Sequence, residues 1–379
     1  MTTPHYVPII KGKVNDLKAL GRLAPKLRAL TKPLIETMPF AQKKEGEKQK
    51  PLDAHVFSFC EYIRKHVPLG DISVDFFGLM PDAELADGKN AVLHGFHLLK
   101  AFGRPVTPVF GLERNDDLWV PLGKIARDFG TGFGFRLRRD DLADDLHEDT
   151  WQQLTERAAE MGLSESEIDV ILDFAEVTAA ERDQLAETVI SFLFANPRVR
   201  NYRSVVVAGS SALRTVKDVG RDDIGSVTRN ELHLWSTLWR DMPDDIKPAF
   251  GDYGVVHPDF SDMGSSKYMN AKIRYTVGDK ILYFRGHGLH HPVKDYEQYH
   301  DLARKVVADV RFRGRGHSIG DAYLYDCASE VIGHGAAATW VAADMNHHLT
   351  YTCIQVGRLL EQFATVPEDA ATSSLLEAS

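Results

Sequence analysis

Cysteine is scarce in this sequence, and the three residues present, Cys60, Cys327 and Cys353, are widely spaced. No Cys-x-x-Cys pair occurs, so neither a disulfide framework nor a zinc knuckle is indicated, and a reducing compartment such as the cytoplasm is expected. No run of about 18 apolar residues is present, and residues 1–13 contain no apolar segment long enough for a signal peptide. We therefore expect no membrane association.

Several motifs of common enzyme families are also missing. No Gly-x-Gly-x-x-Gly or Walker-type glycine loop follows a strand-like segment, which argues against dinucleotide and P-loop nucleotide binding. No His-Glu-x-x-His or Gly-x-Ser-x-Gly sequence occurs, so neither a zinc protease nor a serine hydrolase is indicated. The adjacent His347 and His348 would point about 100° apart on a helix and cannot easily face one ion.

Positive charge is in deficit, with 45 Lys and Arg residues against 54 Asp and Glu residues and a net charge of -9. This balance argues against a general nucleic-acid-binding surface, although it leaves room for a local basic pocket. With 44% hydrophobic and 26% charged residues, the composition is that of a globular protein with a sizeable core.

The segment 166–177, SEIDVILDFAEV, is almost continuously apolar, which is typical of a strand buried on both faces of a parallel sheet. Asp169 and Asp173 share one parity along it, so their side chains point to the same side. Asp173 stands near the C-terminal end. A charge in such a sheet is costly unless another group pairs with it, so we expect a partner for Asp173.

Seven other short apolar segments resemble this one, and most are separated by helical patterns. The eight predicted strands lie within 6–10, 32–40, 71–79, 104–112, 132–142, 166–177, 203–211 and 249–257. Eight alternating strand and helix units over about 260 residues predict an α/β fold of the (β/α)8 type, a TIM-like barrel. A doubly wound open sheet is the competing topology.

The pattern changes after the eighth strand. Residues 272–288 read as a β-hairpin with its turn at 277–279, and 296–310 reads as the eighth helix of the barrel. We predict one TIM-like domain over 1–363, with a barrel core at about 5–260, a hairpin insertion at about 270–290 and C-terminal helices at about 295–363. The small polar residues of 364–379 predict a disordered tail.

In such barrels the active site lies at the C-terminal ends of the strands, and charged residues gather there in this sequence. The candidate catalytic residues are Lys11, Lys13, Glu36, Asp75, Arg136, Arg138, Asp173 and Asp252, with Ser210 and Ser211 beside them. Acids could bind a divalent cation or act in acid–base catalysis, and the cations suit a phosphate or a carboxylate. The alternative is a neutralised ion-pair network that does no chemistry.

Basic residues and histidines of the C-terminal third form a second set of candidates. Arg285, His287, Arg313, Arg315 and His317 could form a basic lip over the barrel mouth. Two further histidines follow the hairpin at 290 and 291. A metal site at this hairpin exit is the less favoured alternative, and the sequence does not define which metal it would bind.

The segments YVPIIKGKVNDLKAL, KPLIETMPF and HSIGDAYLYDCA…TWVAADMNHHLTYT resemble the phage beta-protein family, similar to the beta protein of T-even phages. The resemblance extends from Tyr6 to about Leu360. It implies a protein encoded by a phage, a prophage or a mobile element, associated with phage exclusion or antiphage loci in which a toxic partner is held in check. It implies no reaction and no established catalytic residues. Some residues are candidates for a functional site because they lie in the matching segments. They are Lys11, Lys13, Glu36, Ser318, Asp321, Asn346 and His347.

Two functions remain open at this stage. The first is a binding protein, a barrel with a decorated mouth that acts as an antitoxin, a sensor or a component of a phage-defence complex with a protein from the same locus. The second is a TIM-barrel enzyme acting on an anionic phosphorylated substrate, a nucleotide or nucleic acid, with a divalent cation as its one expected cofactor. The candidate ligand-binding residues are Arg285, His287, Arg315, Ser318, Asp321, Asn346 and His347.

Overall fold

Eight parallel strands close into a barrel in the computed structural model, which describes residues 5–40, 51–259, 269–292 and 295–365. The strands of the chain are β1 Tyr6–Lys11, β2 Leu34–Glu36, β3 Ser73–Asp75, β4 Thr107–Phe110, β5 Phe133–Leu137, β6 Ile168–Glu176, β7 Ser204–Ser210, β8 Ile224–Thr228, β9 Ala249–Asp252, β10 Asn270–Val277 and β11 Lys280–Gly288. The barrel order is β1-β2-β3-β4-β5-β6-β7-β9, with β9 pairing back onto β1. The predicted (β/α)8 barrel is therefore confirmed, and the open sheet is excluded.

Side-chain parity divides each barrel strand between two layers. Along β6, Asp169, Ile171 and Asp173 point into the barrel, whereas the alternate residues face the helices. The interior is filled by small and branched side chains and one tyrosine, namely Val7, Ile9, Leu34, Val109, Ile171, Val206, Ala208, Ala249 and Tyr253. This packed interior leaves the C-terminal rim as the place where charged side chains meet.

A ring of helices covers the barrel. The helices are α1 Val14–Gly21, α2 Pro25–Arg28, α3 Leu52–His66, α4 Ala91–Ala101, α5 Trp119–Phe129, α6 His147–Met161, α7 Arg182–Phe194, α8 Asn230–Asp241, α9 Gln298–Ala308, α10 Ile319–Ala328 and α11 Ala337–Thr365. The prediction that 296–310 closes the ring is wrong, because α9 packs on α10, β10 and β11. The ring is closed by α11, which packs on α1 and β1 and reaches Trp235 of α8 through Phe363.

The hairpin after the eighth barrel strand is confirmed, but it belongs to a larger unit. β10 and β11 pair antiparallel, and β8 adds to the free edge of β11, so the sheet has three strands in the order β10-β11-β8. The sequence analysis missed β8 because its five residues, IGSVT, alternate weakly and are largely exposed. We call this sheet with α9 and α10 the appended lobe, and it has its own apolar core.

The long helix α11 joins the appended lobe to the barrel. Its N-terminal part packs against β10 and α10, and its body packs against α1. The division of the chain into one domain over 1–363 and a tail stays a prediction, since α11 runs to Thr365 and residues 366–379 lie outside the described part. No helix among the described residues is long and apolar enough to cross a membrane. All three cysteines are buried and unbonded to one another.

Candidate functional site

Charged residues at the ends of neighbouring barrel strands lie side by side at the mouth. The strand register places Lys11 opposite Glu36 and Glu36 opposite Asp75, across β1, β2 and β3. Arg136 of β5 and Asp173 of β6 share the same inward direction. With Arg138, which also reaches Asp173, six of the eight candidate catalytic residues are brought together where the sequence predicted them.

Arg136 is the centre of this group and is completely buried. Its Nη1 lies 2.8 Å from Oδ2 of Asp75 and 2.8 Å from Oε2 of Glu36. Its Nε and Nη2 lie 2.9 and 2.7 Å from Oδ2 of Asp173. Nη2 also donates to the hydroxyl of Tyr253 at 2.8 Å, and that hydroxyl donates to Asp173 at 2.6 Å. One guanidinium therefore bridges the carboxylates of three strands.

Three further cations complete the arrangement. Arg114 binds both oxygens of Asp75, at 2.6 and 3.0 Å, and Arg138 Nη1 lies 2.6 Å from Asp173. Lys11 donates to Glu36 and, at 2.8 Å, to a backbone carbonyl. We call this set the mouth cluster. Its members are Lys11, Glu36, Asp75, Arg114, Arg136, Arg138, Asp173 and Tyr253.

An aromatic ring covers the mouth cluster. Phe77 lies 5.3, 5.0 and 4.7 Å from the guanidinium carbons of Arg114, Arg136 and Arg138, and it is 40% exposed. The sequence analysis missed Phe77, Arg114 and Tyr253. Tyr253 had a usable signal, because it has the parity of the inward-facing β9 residues; Arg114 and Phe77 come from loops without any pattern.

Two of the mouth carboxylates, Asp75 and Asp173, are held in their charged form. Burial alone would raise the pKa of Asp173, but Arg136, Arg138 and the hydrogen bonds outweigh it and hold that pKa at about 2. The pKa of Asp75 is lowered as well, because the effects of Arg114 and Arg136 outweigh the opposing effect of burial. A general acid or base works best with a pKa near the working pH. Asp75 and Asp173 therefore remain charged at neutral pH and act as ion-pair partners.

A cleft of about 680 Å³ opens beside the mouth cluster. It is bounded by two guanidinium groups, Arg138 and Arg139, and by five carboxylates, Asp140, Asp173, Glu176, Glu181 and Asp259. At its edge β6 bulges, and Ala175 has a φ of +55°, a region that side chains other than glycine seldom adopt. Asp173 Oδ1 accepts the amide of Ala175 at 2.9 Å, which ties this strained residue to the mouth cluster.

Asp252 does not lie in the mouth, and this differs from the sequence-based expectation. It has the parity of Phe250, so it points outward to the helix layer, whereas its neighbour Tyr253 points inward. Its oxygens bind Tyr6 at 2.8 Å, the Gly254 amide at 3.0 Å, His348 at 2.8 Å and Arg229 at 3.3 Å. Asp252 therefore fastens α11 to the barrel.

Lys13 and the two serines also serve local structure. Lys13 precedes α1, and its carbonyl accepts the amide of Leu17 at 3.0 Å. Ser210 accepts the amide of Ala212 at 3.1 Å, and Ser211 accepts that of Asn230 at 2.9 Å, where α8 begins. These contacts fix the turns after β1 and β7.

The expected basic lip over the mouth is not assembled, because its members are spread over the appended lobe. Arg285 donates to backbone carbonyls of the segment 216–219 and so holds that loop against β11. His287 lies 2.7 Å from a carboxylate oxygen of Asp222. Arg315 pairs at 2.8 Å with a carboxylate of α10.

Three residues of the matching C-terminal segments do converge, at the junction of β10, α10 and α11. Oδ2 of Asp321 lies 2.8 Å from Nδ1 of His347 and accepts the hydroxyl of Ser318 at 2.5 Å. Oδ1 accepts the hydroxyl of Tyr275 at 2.8 Å. Nε2 of His347 lies 2.8 Å from the carbonyl oxygen of Thr276. Burial raises the pKa of Asp321, but His347 and these hydrogen bonds lower it further than burial raises it.

A third ionisable side chain borders this pair. A ring nitrogen of His317 lies within 4.8 Å of a carboxylate oxygen of Asp321 and of a ring nitrogen of His347. Burial and the neighbouring His347 lower the pKa of His317 to about 4, so it is a neutral imidazole at pH 7. We call His317, Asp321 and His347 the His–Asp cluster. The sequence analysis had placed His317 in the basic lip and did not connect it with Asp321.

Asn346 lies next to this cluster but faces the other way. Its Oδ1 accepts the amide of Gly320 at 3.0 Å, and its Nδ2 donates to the carbonyl of Ala19 at 2.9 Å. It therefore joins α10, α11 and α1, and each of its two polar atoms already has a protein partner.

A closed parallel barrel with its charged residues at the C-terminal rim defines a (β/α)8 protein of the TIM-barrel class. Within that class, residues 6–353 match the family described as Beta protein, and the chain belongs to that family. No curated protein matches the chain.

Three solved structures share the barrel at low identity. Triosephosphate isomerase from Bartonella henselae is 12% identical with a TM-score of 0.37, over 68% of this chain and 95% of that one. Alanine racemase from Clostridium difficile is 12% identical with a TM-score of 0.32, over 66% and 50%. The N-terminal domain of a putative aldolase from Bacteroides vulgatus is 14% identical with a TM-score of 0.32, over 66% and 73%. They say nothing about activity.

Proposed function

We propose that this chain is a binding barrel whose mouth cluster is structural and whose adjacent cleft captures a positively charged segment of a partner protein. The observation that carries the proposal is the saturation of the mouth. Glu36, Asp75 and Asp173 are buried and each pairs with a cation, so none is a free charge for a substrate or a metal ion, although Oε2 of Glu36 accepts no hydrogen bond among the described residues. A barrel whose acids are all neutralised keeps its fold but lacks an acid–base pair.

The charge of the cleft indicates the kind of partner. The lining has five carboxylates against two guanidinium groups, and three of the carboxylates, Asp140, Glu176 and Asp259, are exposed. Asp259 lies 4.0 Å from Arg214, which is outside the lining, so the lining itself keeps a surplus of negative charge. Such a lining attracts lysine and arginine side chains and repels phosphates. The net charge of -9 also favours a basic partner over a phosphate.

The proposed biological setting rests on the resemblance to the phage beta-protein family. We infer that the protein is encoded by a phage, a prophage or a mobile element and acts in the cytoplasm as part of a phage-exclusion or antiphage system. The partner would then be a protein of the same locus, one whose toxicity the barrel restrains by covering a basic segment. Binding that hides a functional segment requires no chemistry from the barrel.

One observation favours the alternative, a TIM-barrel enzyme acting on a phosphorylated substrate. The mouth cluster has four cations against three carboxylates, and Arg138 is its most exposed charged member, with 25% of the side chain accessible. A phosphate could therefore bind Arg138 at the floor of the cleft. A divalent cation fits less well there, because every carboxylate of the mouth cluster already has a cationic partner.

The test is coexpression of the tagged chain with the product of each neighbouring gene. We expect one of them to copurify, and we expect the double variant Glu176→Lys, Asp259→Lys to reduce capture at least about tenfold, since each reversal adds repulsion to a basic partner. Both side chains are exposed, so folding should be unchanged. Glu148→Lys, an exposed reversal on α6, is the matched control.

Two results would contradict the proposal. Undiminished capture by the double variant would remove the cleft from the interaction. Turnover of a nucleotide or an oligonucleotide by the purified chain, lost in a folded Arg138→Ala variant, would establish the alternative.

A further inference from the structure

The position of His347 constrains its protons. Nε2 faces the backbone carbonyl oxygen of Thr276, which accepts hydrogen bonds and cannot donate, so Nε2 carries a proton. In a neutral ring the lone pair is then on Nδ1. Nδ1 faces Oδ2 of Asp321 at 2.8 Å, and that oxygen is also an acceptor. Two lone pairs at this distance repel, so a positive charge, either a proton or a metal ion, must lie between them.

His317 supplies a second, independent observation. Its Nε2 is buried and has no hydrogen-bond partner among the residues that the structure describes. Leaving a buried polar atom unsatisfied is costly, and in native structures such an atom is usually met by a water molecule, a ligand or an ion. A ring nitrogen of His317, a carboxylate oxygen of Asp321 and a ring nitrogen of His347 all lie within 4.8 Å of one another, which is the spacing of groups that can close around one ion.

The groups behind the cluster resemble the outer shell of a metal site. Metal-binding histidines usually donate their second N–H to a carbonyl or a carboxylate, as His347 does to Thr276. The hydroxyls of Tyr275 and Ser318 fix both oxygens of Asp321. The ring of Tyr275 also stacks on His347, with 3.9 Å between centroids and a 19° angle between planes. The ligands are therefore held in place before any ion binds.

We propose that His317, Asp321 and His347 bind one divalent transition-metal ion, with Zn²⁺ as the best match. Two imidazoles and one carboxylate suit Zn²⁺ and its first-row neighbours, whereas Mg²⁺ and Ca²⁺ prefer sets of oxygen ligands. The site belongs to the appended lobe and α11, so it is separate from the mouth cluster and goes beyond the proposed capture of a partner.

Space for the remaining ligand adjoins the cluster. His317 also lines a cavity of about 60 Å³ together with Arg313, Tyr351 and Arg358. One water needs roughly 10–15 Å³ of such space, so the cavity has room for the water molecules that would complete a coordination shell. Three protein ligands with an open position are typical of exchangeable zinc sites.

The experiment uses the full chain after removal of metals by a chelator. Zn²⁺ binding is measured by competition with a chromophoric chelator, and Co²⁺ is added separately for its visible absorption. We expect one equivalent of Zn²⁺ per chain. His317→Ala and His317→Gln should weaken binding by more than the roughly 10–100-fold typical of losing an outer-shell group. His317 is half-buried, so both variants should keep the circular dichroism spectrum and metal-free melting temperature of the parent.

His290→Ala is the matched comparison, because His290 is an exposed histidine of the same lobe. It should bind Zn²⁺ like the parent. The proposal is overturned if the parent shows no saturable binding, which would leave His347 as a protonated partner of Asp321. It is equally overturned if His317→Ala binds normally, or if binding is lost in His290→Ala and kept in His317→Ala, which would place the ion at the hairpin exit.

Discussion

Replacing Arg136 by alanine is expected to destabilise the protein by about 3–5 kcal/mol, the usual range for breaking a buried ion pair by removing one partner. Arg136 is completely buried and contacts Glu36, Asp75 and Asp173. Without it, three carboxylates at the end of the barrel would face one another with fewer cations between them. The measurement is the free energy of unfolding from urea titration of the variant and the parent.

Arg138→Ala is the matched control, because it removes a guanidinium from the same carboxylate at a partly exposed position. Asp173 would keep Arg136 and Tyr253, so a loss of at most about 1 kcal/mol is expected, as for accessible ion pairs. The deficit of Arg136→Ala should also shrink as the pH falls towards 4, because protonation relieves unpaired carboxylates. Equal losses for the two variants would mean that Arg136 does not organise the mouth cluster.

The barrel and most of its mouth could be predicted because they depend on local patterns. Short apolar segments that alternate with helices specify strands, and a polar residue near the end of each strand must lie at the C-terminal rim. Glu36, Asp75 and Asp173 follow this rule. That they form a closed network around Arg136 could not be read from the sequence, because the choice between a free and a paired carboxylate depends on distances between strands.

Side-chain direction was the first source of error. The period of a strand is two residues, so an uncertainty of one position moves a side chain to the opposite layer. Asp252 and Tyr253 are neighbours, and the acidic residue was assigned to the mouth although the tyrosine occupies it. The pairing of Asp252 with His348 joins residues 96 positions apart, and no local pattern predicts such a contact.

The appended lobe was the second source of error. Its strand β8 lies before the last barrel strand in sequence, and its other two strands lie after it. Helix α9 was assigned to the barrel because the usual alternation calls for a helix after the eighth strand. The chain instead builds a second apolar core there, and α11 provides the closing helix. Non-local assembly of this kind leaves no periodic signal.

Two buried carboxylates beside Arg229 should respond in opposite directions when their charge is removed. Asp252 binds Arg229 and His348, which with hydrogen bonds overcome burial and hold its pKa at about 2. Glu231 lies 3.5 Å from Nε of Arg229, and its Oε2 has no hydrogen-bond partner among the described residues. Burial and the neighbouring Asp252 raise the pKa of Glu231 to about 7, although Arg229 lowers it.

The signs follow from these pKa values. A lowered pKa gives Asp252 a stabilising effect that is present above its ordinary value of 3.8 and lost as the pH falls to about 2. At about 1.4 kcal/mol per pKa unit, Asp252→Asn should cost about 2 kcal/mol at pH 7. A raised pKa means that Glu231 destabilises the fold increasingly from pH 4.5 to about 7. Glu231→Gln should therefore stabilise the protein by only about 1 kcal/mol at pH 5 and by about 3 kcal/mol at pH 8.

Urea unfolding of the parent and of the two single variants at pH 5 and pH 8 measures both effects. The two substitutions are chemically alike, since each replaces a buried carboxylate beside one arginine with its amide. A difference in sign at pH 8 therefore reports the electrostatic environment rather than the loss of packing. If Glu231→Gln destabilised the protein at pH 8 as much as Asp252→Asn, Glu231 would be an equal ion-pair partner of Arg229. The junction between the barrel and α11 would then depend on both acids.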